Sequence, residues 1–103
     1  MGKHGECVAC DMRGFLSFLI LWLLNKKPMN GAELASEIEK RKGFRPNPGT
    51  IYPALKELTI KKVIIIKAGN GNRKIYTITP NGKEELEIAK AIFLKTFYDV
   101  ISK

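Results

Sequence analysis

Acidic residues are almost missing from the middle of this 103-residue chain: between Lys40 and Lys83, eleven lysines and arginines face a single carboxylate, Glu57. That segment carries +10 and the two ends together carry −2, within a whole-chain charge of +8. Basicity confined in this way marks a surface for a polyanion. Other scarcities exclude whole classes. There is one histidine, and neither a glycine-rich phosphate loop ahead of a helix nor a nucleophile elbow occurs. The carboxylates that do cluster, Glu33 with Glu37 and Glu84 with Glu85 and Glu87, read as solvated helix faces, so an enzyme is not expected. The longest apolar run, Phe15 to Leu24, is broken once by Ser17 and flanked by Arg13 and Lys26. It is half of the roughly 20 residues that a membrane span requires. Asn25-Lys26-Lys27-Pro28 follows it where a signal peptide would carry small cleavage-site residues, so a buried helix and a cytoplasmic protein are expected. The 45% apolar fraction is enough for one core without disulfides and too high for a disordered chain.

Only two cysteines are present, and with the single histidine they form His4-x2-Cys7-x2-Cys10. The spacing suits a metal or redox site, yet three ligands leave a tetrahedral zinc one short unless Asp11 or a partner chain adds a fourth. The reading preferred here is two free thiols in a flexible N-terminal segment, residues 1–11, with no cofactor. A structural disulfide is the least favoured, because no secretion signal places the chain in an oxidising compartment.

The rest of the chain divides by pattern. Met12 to Asn25 is apolar almost throughout, Trp22 included, and predicts a helix covered on nearly all sides, with help from a partner chain. Asn30 with Glu33 is a capping box, and Met29 is placed to staple onto Leu34. The second helix should therefore run to Lys42 and stop at Gly43. After the turn residues Phe44 to Gly49, a third helix begins near Pro48 to Thr50. If it starts at Gly49 or Thr50, Pro53 falls in the first turn, where its missing N–H has no intrahelical partner. Ile51, Ala54, Leu55 and Leu58 would then point inward, leaving Gly49, Tyr52, Pro53 and Lys56 outward with Thr50 beside them. Val63 to Lys67 and Arg73 to Thr79 alternate as strands around Gly69-Asn70-Gly71-Asn72, which predicts a β-hairpin. Thr79 then caps a final helix with Pro80 in its first position and an apolar stripe of Leu86, Ala89, Ile92 or Phe93, Phe97 and Val100.

Three helices, a hairpin and a further helix give a mainly α, α+β chain with the order of a winged helix-turn-helix, and the +10 segment coincides with the turn, the third helix and the hairpin. The winged helix would occupy residues 12–79 and a dimerisation helix 80–103. In that geometry the third helix enters a DNA major groove, where Thr50 and Tyr52 hydrogen-bond base edges, Tyr52 also meets a thymine methyl, and Lys56 reaches phosphate. The hairpin tip, Asn70, Asn72, Arg73 and Lys74, grips the backbone or probes the minor groove. Arg45, Asn47 and Pro53 complete the DNA-contacting set. Plainer roles exist for several of these: Tyr52 packing on the helix's first turn, Asn70 and Asn72 serving turn geometry, and Lys61-Lys62 a solvated helix end.

The segments Met12-Arg-Gly-Phe-Leu-Ser-Phe-Leu-Ile-Leu-Trp-Leu-Leu, Pro28-Met-Asn-Gly-Ala-Glu-Leu, Pro48-Gly-Thr-Ile-Tyr-Pro-Ala-Leu-Lys-Glu-Leu and Arg73-Lys-Ile-Tyr-Thr-Ile-Thr-Pro-Asn-Gly together resemble the PadR-like transcriptional regulators across residues 12 to 82. The resemblance implies a homodimeric repressor whose C-terminal helix packs against the N-terminal helix of its partner. With one helix after the wing, the chain looks like the small subgroup that lacks a long C-terminal domain. Phe15, Phe18, Leu19, Trp22, Ile92, Phe93, Phe97 and Val100 are the expected dimer contacts, since the two end helices offer more apolar surface than a small core covers. The expected partners are double-stranded DNA with a pseudo-palindromic operator and a second copy of the chain, with no membrane. Similar regulators respond to aromatic or drug-like compounds, for which a pocket beside Trp22 is the candidate site. The rival reading is a winged-helix adaptor that binds RNA or an acidic protein partner.

Overall fold

The computed structural model describes residues 13–69, 71 and 73–102. The His4, Cys7 and Cys10 motif lies outside the described residues, as do Asn70 and Asn72 of the hairpin turn. The elements are α1 (Arg13–Lys26), α2 (Gly31–Lys42), α3 (Pro48–Ile60), β1 (Ile64–Ala68), β2 (Lys74–Ile78) and α4 (Pro80–Ser102). The strands pair antiparallel with Ile64 opposite Ile78 and Ile66 opposite Tyr76. Among the described residues no helix is long and apolar enough to cross a membrane.

Local signals place the helix ends. Asn30 Oδ1 accepts from the Glu33 N–H and Glu33 Oε1 accepts from the Asn30 N–H, both at 2.8 Å, closing the capping box. Gly43 ends α2 in the left-handed region at φ 88°, where its N–H reaches the Glu39 carbonyl. Thr79 Oγ1 accepts from the Gly82 N–H at 2.9 Å and donates to the Lys62 carbonyl at 2.8 Å, so one hydroxyl both caps α4 and ties it to the corner that leads into β1.

Pro53 departs from expectation. The helix begins at Pro48, with Asn47 as N-cap and its carbonyl accepting from Thr50 and Ile51, which puts Pro53 in the second turn. It has no N–H to give the Gly49 carbonyl, the acceptor four residues back. Gly49 is exposed, so water can serve that carbonyl.

The core joins Leu16, Ile20, Leu23 and Leu24 of α1 to Leu34 and Ile38 of α2, Ile51 and Leu55 of α3, Ile64 and Tyr76 of the hairpin, and Leu86 of α4. One connection is invisible to pattern reading. Met29, expected only as an apolar staple, also pairs its backbone with β2: its N–H donates to the Tyr76 carbonyl at 3.2 Å and its carbonyl accepts from the Tyr76 N–H at 2.8 Å.

Four of the expected dimer residues meet one another within the single chain. Phe15 and Phe18 of α1 meet Phe93 and Phe97 of α4 within the same chain, with ring centroids 5.4–6.0 Å apart between the helices and Phe18 stacked on Phe93. The resemblance assigns such contacts to a partner. Here the Thr79–Pro80 corner returns α4 along α1, and the i,i+4 pair Phe93 and Phe97 straddles the i,i+3 pair Phe15 and Phe18. Most of α1 is likewise covered by its own chain. Ile92 (59% exposed) and Val100 (72%) remain open. Trp22 is half-buried beneath the cations of Lys26 and Arg41, 3.9 and 4.4 Å from its ring centroid, and Leu19 is half-buried. The radius of gyration, 14.5 Å, exceeds the roughly 13 Å of a compact 100-residue domain because α4 reaches past the body.

Gly82 carries the packing of α4 on the hairpin. A Cβ there would collide with the backbone carbonyl of Val63, which already accepts from the Thr79 N–H at 3.0 Å. Backbone cannot swing aside as a side chain can. Replacing Gly82 by Ala is expected to destabilise the fold by about 2–3 kcal/mol despite alanine's better helix propensity, measured as a lowered denaturant midpoint.

Candidate nucleic-acid interface

The outward stripe of α3 follows from its inward one. With Ile51, Leu55 and Leu58 buried, a period of 3.6 leaves Gly49, Thr50, Tyr52, Pro53 and Lys56 exposed. Asn47 is also exposed, and its Oδ1 accepts from Thr50 Oγ1 at 3.2 Å, so two polar groups at the start of α3 orient each other. Arg73 and Lys74 stand exposed at the entry to β2.

Between the start of α2 and the hairpin runs a groove of about 720 Å³, whose lining includes Lys27, Gly31, Tyr76, Arg73 and Lys74, with Tyr52 reaching it from α3. The Met29–Tyr76 pairing is what creates it, because it holds β2 beside the start of α2. Lys27 was not foreseen as a site residue: it lies outside the basic segment in sequence, and the strand-like connector delivers it to the same groove as Arg73 and Lys74. The groove's carboxylates are engaged locally, Glu33 in the capping box and Glu37 with Lys40 at 3.2 Å. The field across the groove is therefore positive.

Arg45, one of the expected DNA-contacting residues, is hydrogen-bonded within the chain. Its Nη1 donates to Ser36 Oγ at 2.9 Å and lies 3.5 Å from a Glu39 carboxylate oxygen, while Nη2 donates to the Ala32 carbonyl at 3.3 Å. The guanidinium thus clips the turn back onto α2. Lys61 pairs with Glu57 at 3.4 Å, in keeping with its reading as a solvated helix end. Tyr52 is neither wholly in solvent nor packed on the first turn of its own helix. The end of its ring rests on Gly31 at the start of α2, yet the side chain is 47% exposed. Burial raises the pKa of the Tyr76 hydroxyl above its ordinary 10.0, and the neighbouring Tyr52 adds to the shift.

The sequence model described as the transcriptional regulator PadR-like family matches residues 20–88. Over 92 residues the chain is 33% identical to the transcriptional regulator YqjI of Escherichia coli, covering 84% of this chain and 44% of that protein. It is 34% identical over 77 residues to the negative transcriptional regulator PadR of Bacillus subtilis, covering 69% of this chain and 42% of the relative. The chain thus spans less than half the length of these two curated relatives. A crystal structure of a PadR family transcription regulator from Clostridium difficile superposes with a TM-score of 0.72 at 32% identity, covering 86% of this chain and all of that one.

The raised Tyr76 pKa has a consequence for stability. Below pH 10 the phenol is neutral in both the folded and the unfolded chain; above it the unfolded chain ionises first, so stability falls as pH rises through that range. Replacing Tyr76 by Phe should remove that part of the alkaline loss, read as a smaller drop in melting temperature between pH 9 and 11 than wild type shows.

Proposed function

We propose that this chain, which belongs to the PadR-like family of transcriptional regulators, DNA-binding proteins rather than enzymes, acts as a homodimeric, sequence-specific repressor. The observation that carries the reading is that Tyr52, on the exposed stripe of α3, and the hairpin cations Arg73 and Lys74 line one groove. α3 enters the major groove with Thr50 and Tyr52 at base edges, and Lys27, Lys56, Arg73 and Lys74 hold the flanking phosphates. The printed name of the Bacillus subtilis relative, a negative regulator, supports repression.

A second copy is supported by apolar surface left open on α4. At 100° per residue, Ile101, Leu94 and Tyr98 lie about 60–120° round the helix from the inward Leu86–Phe93–Phe97 stripe and Ile92 and Ile88 lie about 120–160° from it in the other sense, all five more than half exposed. A lone helix with both flanks apolar is stabilised by lying between neighbours. The dimer brings two α3 helices to half-sites one or two helical turns apart. An aromatic or drug-like effector would enter between the dimer helices on the Trp22 side, where quenching of the Trp22 emission reports it.

Selection of duplexes from a random pool tests the core of the reading: a pseudo-palindrome should emerge, bound roughly a thousandfold better than random duplex. Equal affinity for all duplexes would indicate an architectural protein, and preference for RNA or an acidic protein would favour the adaptor reading. Ala at Thr50 or Tyr52 should relax the preference, whereas Ala at Lys27, Arg73 or Lys74 should weaken binding on every duplex. Four phosphate contacts per protomer give a dimer a slope of log affinity against log salt of about −7, and each of these lysine or arginine losses should flatten it by about 2. In sedimentation, wild type should be dimeric at micromolar concentration. Ile92→Lys combined with Tyr98→Lys should yield folded monomers, and a monomeric wild type would remove the dimer.

A further inference from the structure

We propose that Gly31 is a positioning residue for sequence readout: its missing side chain is the seat on which the Tyr52 ring rests, and it fixes where that ring meets a base edge. The inference rests on Tyr52 reading the DNA as set out above. Gly31 is the first residue of α2 and is buried. A Cβ built on it would stand 2.5 Å from Tyr52 Oη, 2.7 Å from Cε1 and 2.8 Å from Cζ, against the roughly 3.5 Å of an ordinary carbon contact. The whole outer end of the ring is therefore in contact with the α2 backbone, through the space a methyl would fill.

Nothing about α2 itself calls for glycine here. Gly31 does not have the positive φ that Gly43 and Gly71 have. In a helix, glycine is less favourable than alanine by up to about 1 kcal/mol. A helix-weakening residue thus occupies a position where the need for it comes from another element. Tyr52 leaves the exposed stripe of α3, where little else restrains a side chain that is 47% open to solvent. Gly31 closes off one side of it, and Tyr76, Arg73 and Lys74 line the same groove. A ring so held presents its free edge in one pose, and readout that depends on base-edge geometry gains from that restriction.

The clash a methyl would create falls on the far end of a side chain and not on backbone, so Gly31→Ala should fold and simply displace the ring. The test uses the full chain, its selected operator duplex and a random duplex of equal length at one salt concentration. Gly31→Ala is expected to leave the melting temperature equal or higher and affinity for random duplex within about twofold, while the operator-to-random ratio falls about tenfold. In a Tyr52→Ala background the same glycine change should leave the ratio unaltered, because the group it displaces is gone. The proposal is overturned if Gly31→Ala keeps the ratio although Tyr52→Ala lowers it. It is equally overturned if Gly31→Ala lowers the ratio by the same factor with and without Tyr52, since Gly31 would then act independently of the ring. A wild type without any duplex preference, or a Tyr52→Ala variant that keeps it, would instead bring down the reading of α3 on which this inference rests.

Discussion

Two backbone hydrogen bonds between Met29 and Tyr76 tie the hairpin to the helical body, and the groove shared by α2, Tyr52 and the hairpin depends on that tie. A two-stranded hairpin is marginal alone. This one gains a third strand-like partner in the α1–α2 connector and a second anchor at Thr79, whose hydroxyl and N–H bond the Lys62 and Val63 carbonyls. Between these ties Tyr76 is buried and β2 lies beside the start of α2, so Arg73 and Lys74 face the same groove as Tyr52. Removing the pairing would leave both halves of the interface intact and their relation undefined.

What could be read from the sequence divides along a physical line. Helix ends were legible where their signals act within four residues: Asn30 with Glu33, Gly43, and Thr79 with Pro80 each do in the structure what their spacing implies. The inward stripes of α2 and α3 were legible for the same reason, since periodicity is local. What was hidden depends on a second element arriving from afar. Met29 signals a staple through its side chain, and nothing in the sequence announces that its backbone joins a sheet. Lys27 sits outside the basic segment and reaches the groove only through that pairing. Gly31 reads as an ordinary first helical residue until Tyr52 is seen on top of it. Pro53 lay one turn deeper than expected because Asn47, rather than a later residue, accepts the first helical N–H groups.

The aromatic cluster of Phe15, Phe18, Phe93 and Phe97 was legible as a contact surface, and the structure brings its four rings together within one chain. Apolar pattern reports that a face must be covered and carries no information on which chain covers it. By closing α4 onto α1, the cluster transfers the open apolar surface to the flanks of α4, at Ile88, Ile92, Leu94, Tyr98 and Ile101. The proposed dimer is thereby a contact built around one long helix, with the same helix stabilising the monomer along its inner stripe.

A charge of +10 on the central segment overstates the number of groups available to phosphate. Arg45 is tied to Ser36 and the Ala32 carbonyl, Arg41 lies over Trp22, and Lys61 and Lys40 pair with neighbouring glutamates. These cations hold the turn, cover an aromatic ring and neutralise helix faces. An exposed pair such as Lys61 with Glu57 is worth at most about 1 kcal/mol, so it screens charge more than it stabilises the fold. What is left facing the groove and the α3 stripe is Lys56, Arg73 and Lys74, with Lys27 added from outside the segment. A basic surface that kept every cation on its reading face would bind all duplexes strongly and differ little between them, since phosphate contacts carry no sequence information. Four of the segment's eleven basic residues, Lys40, Arg41, Arg45 and Lys61, are engaged at the surface by the protein's own carboxylates, hydroxyl, carbonyl and ring, which under the proposed function would limit that uniform attraction and leave discrimination to groups such as Tyr52.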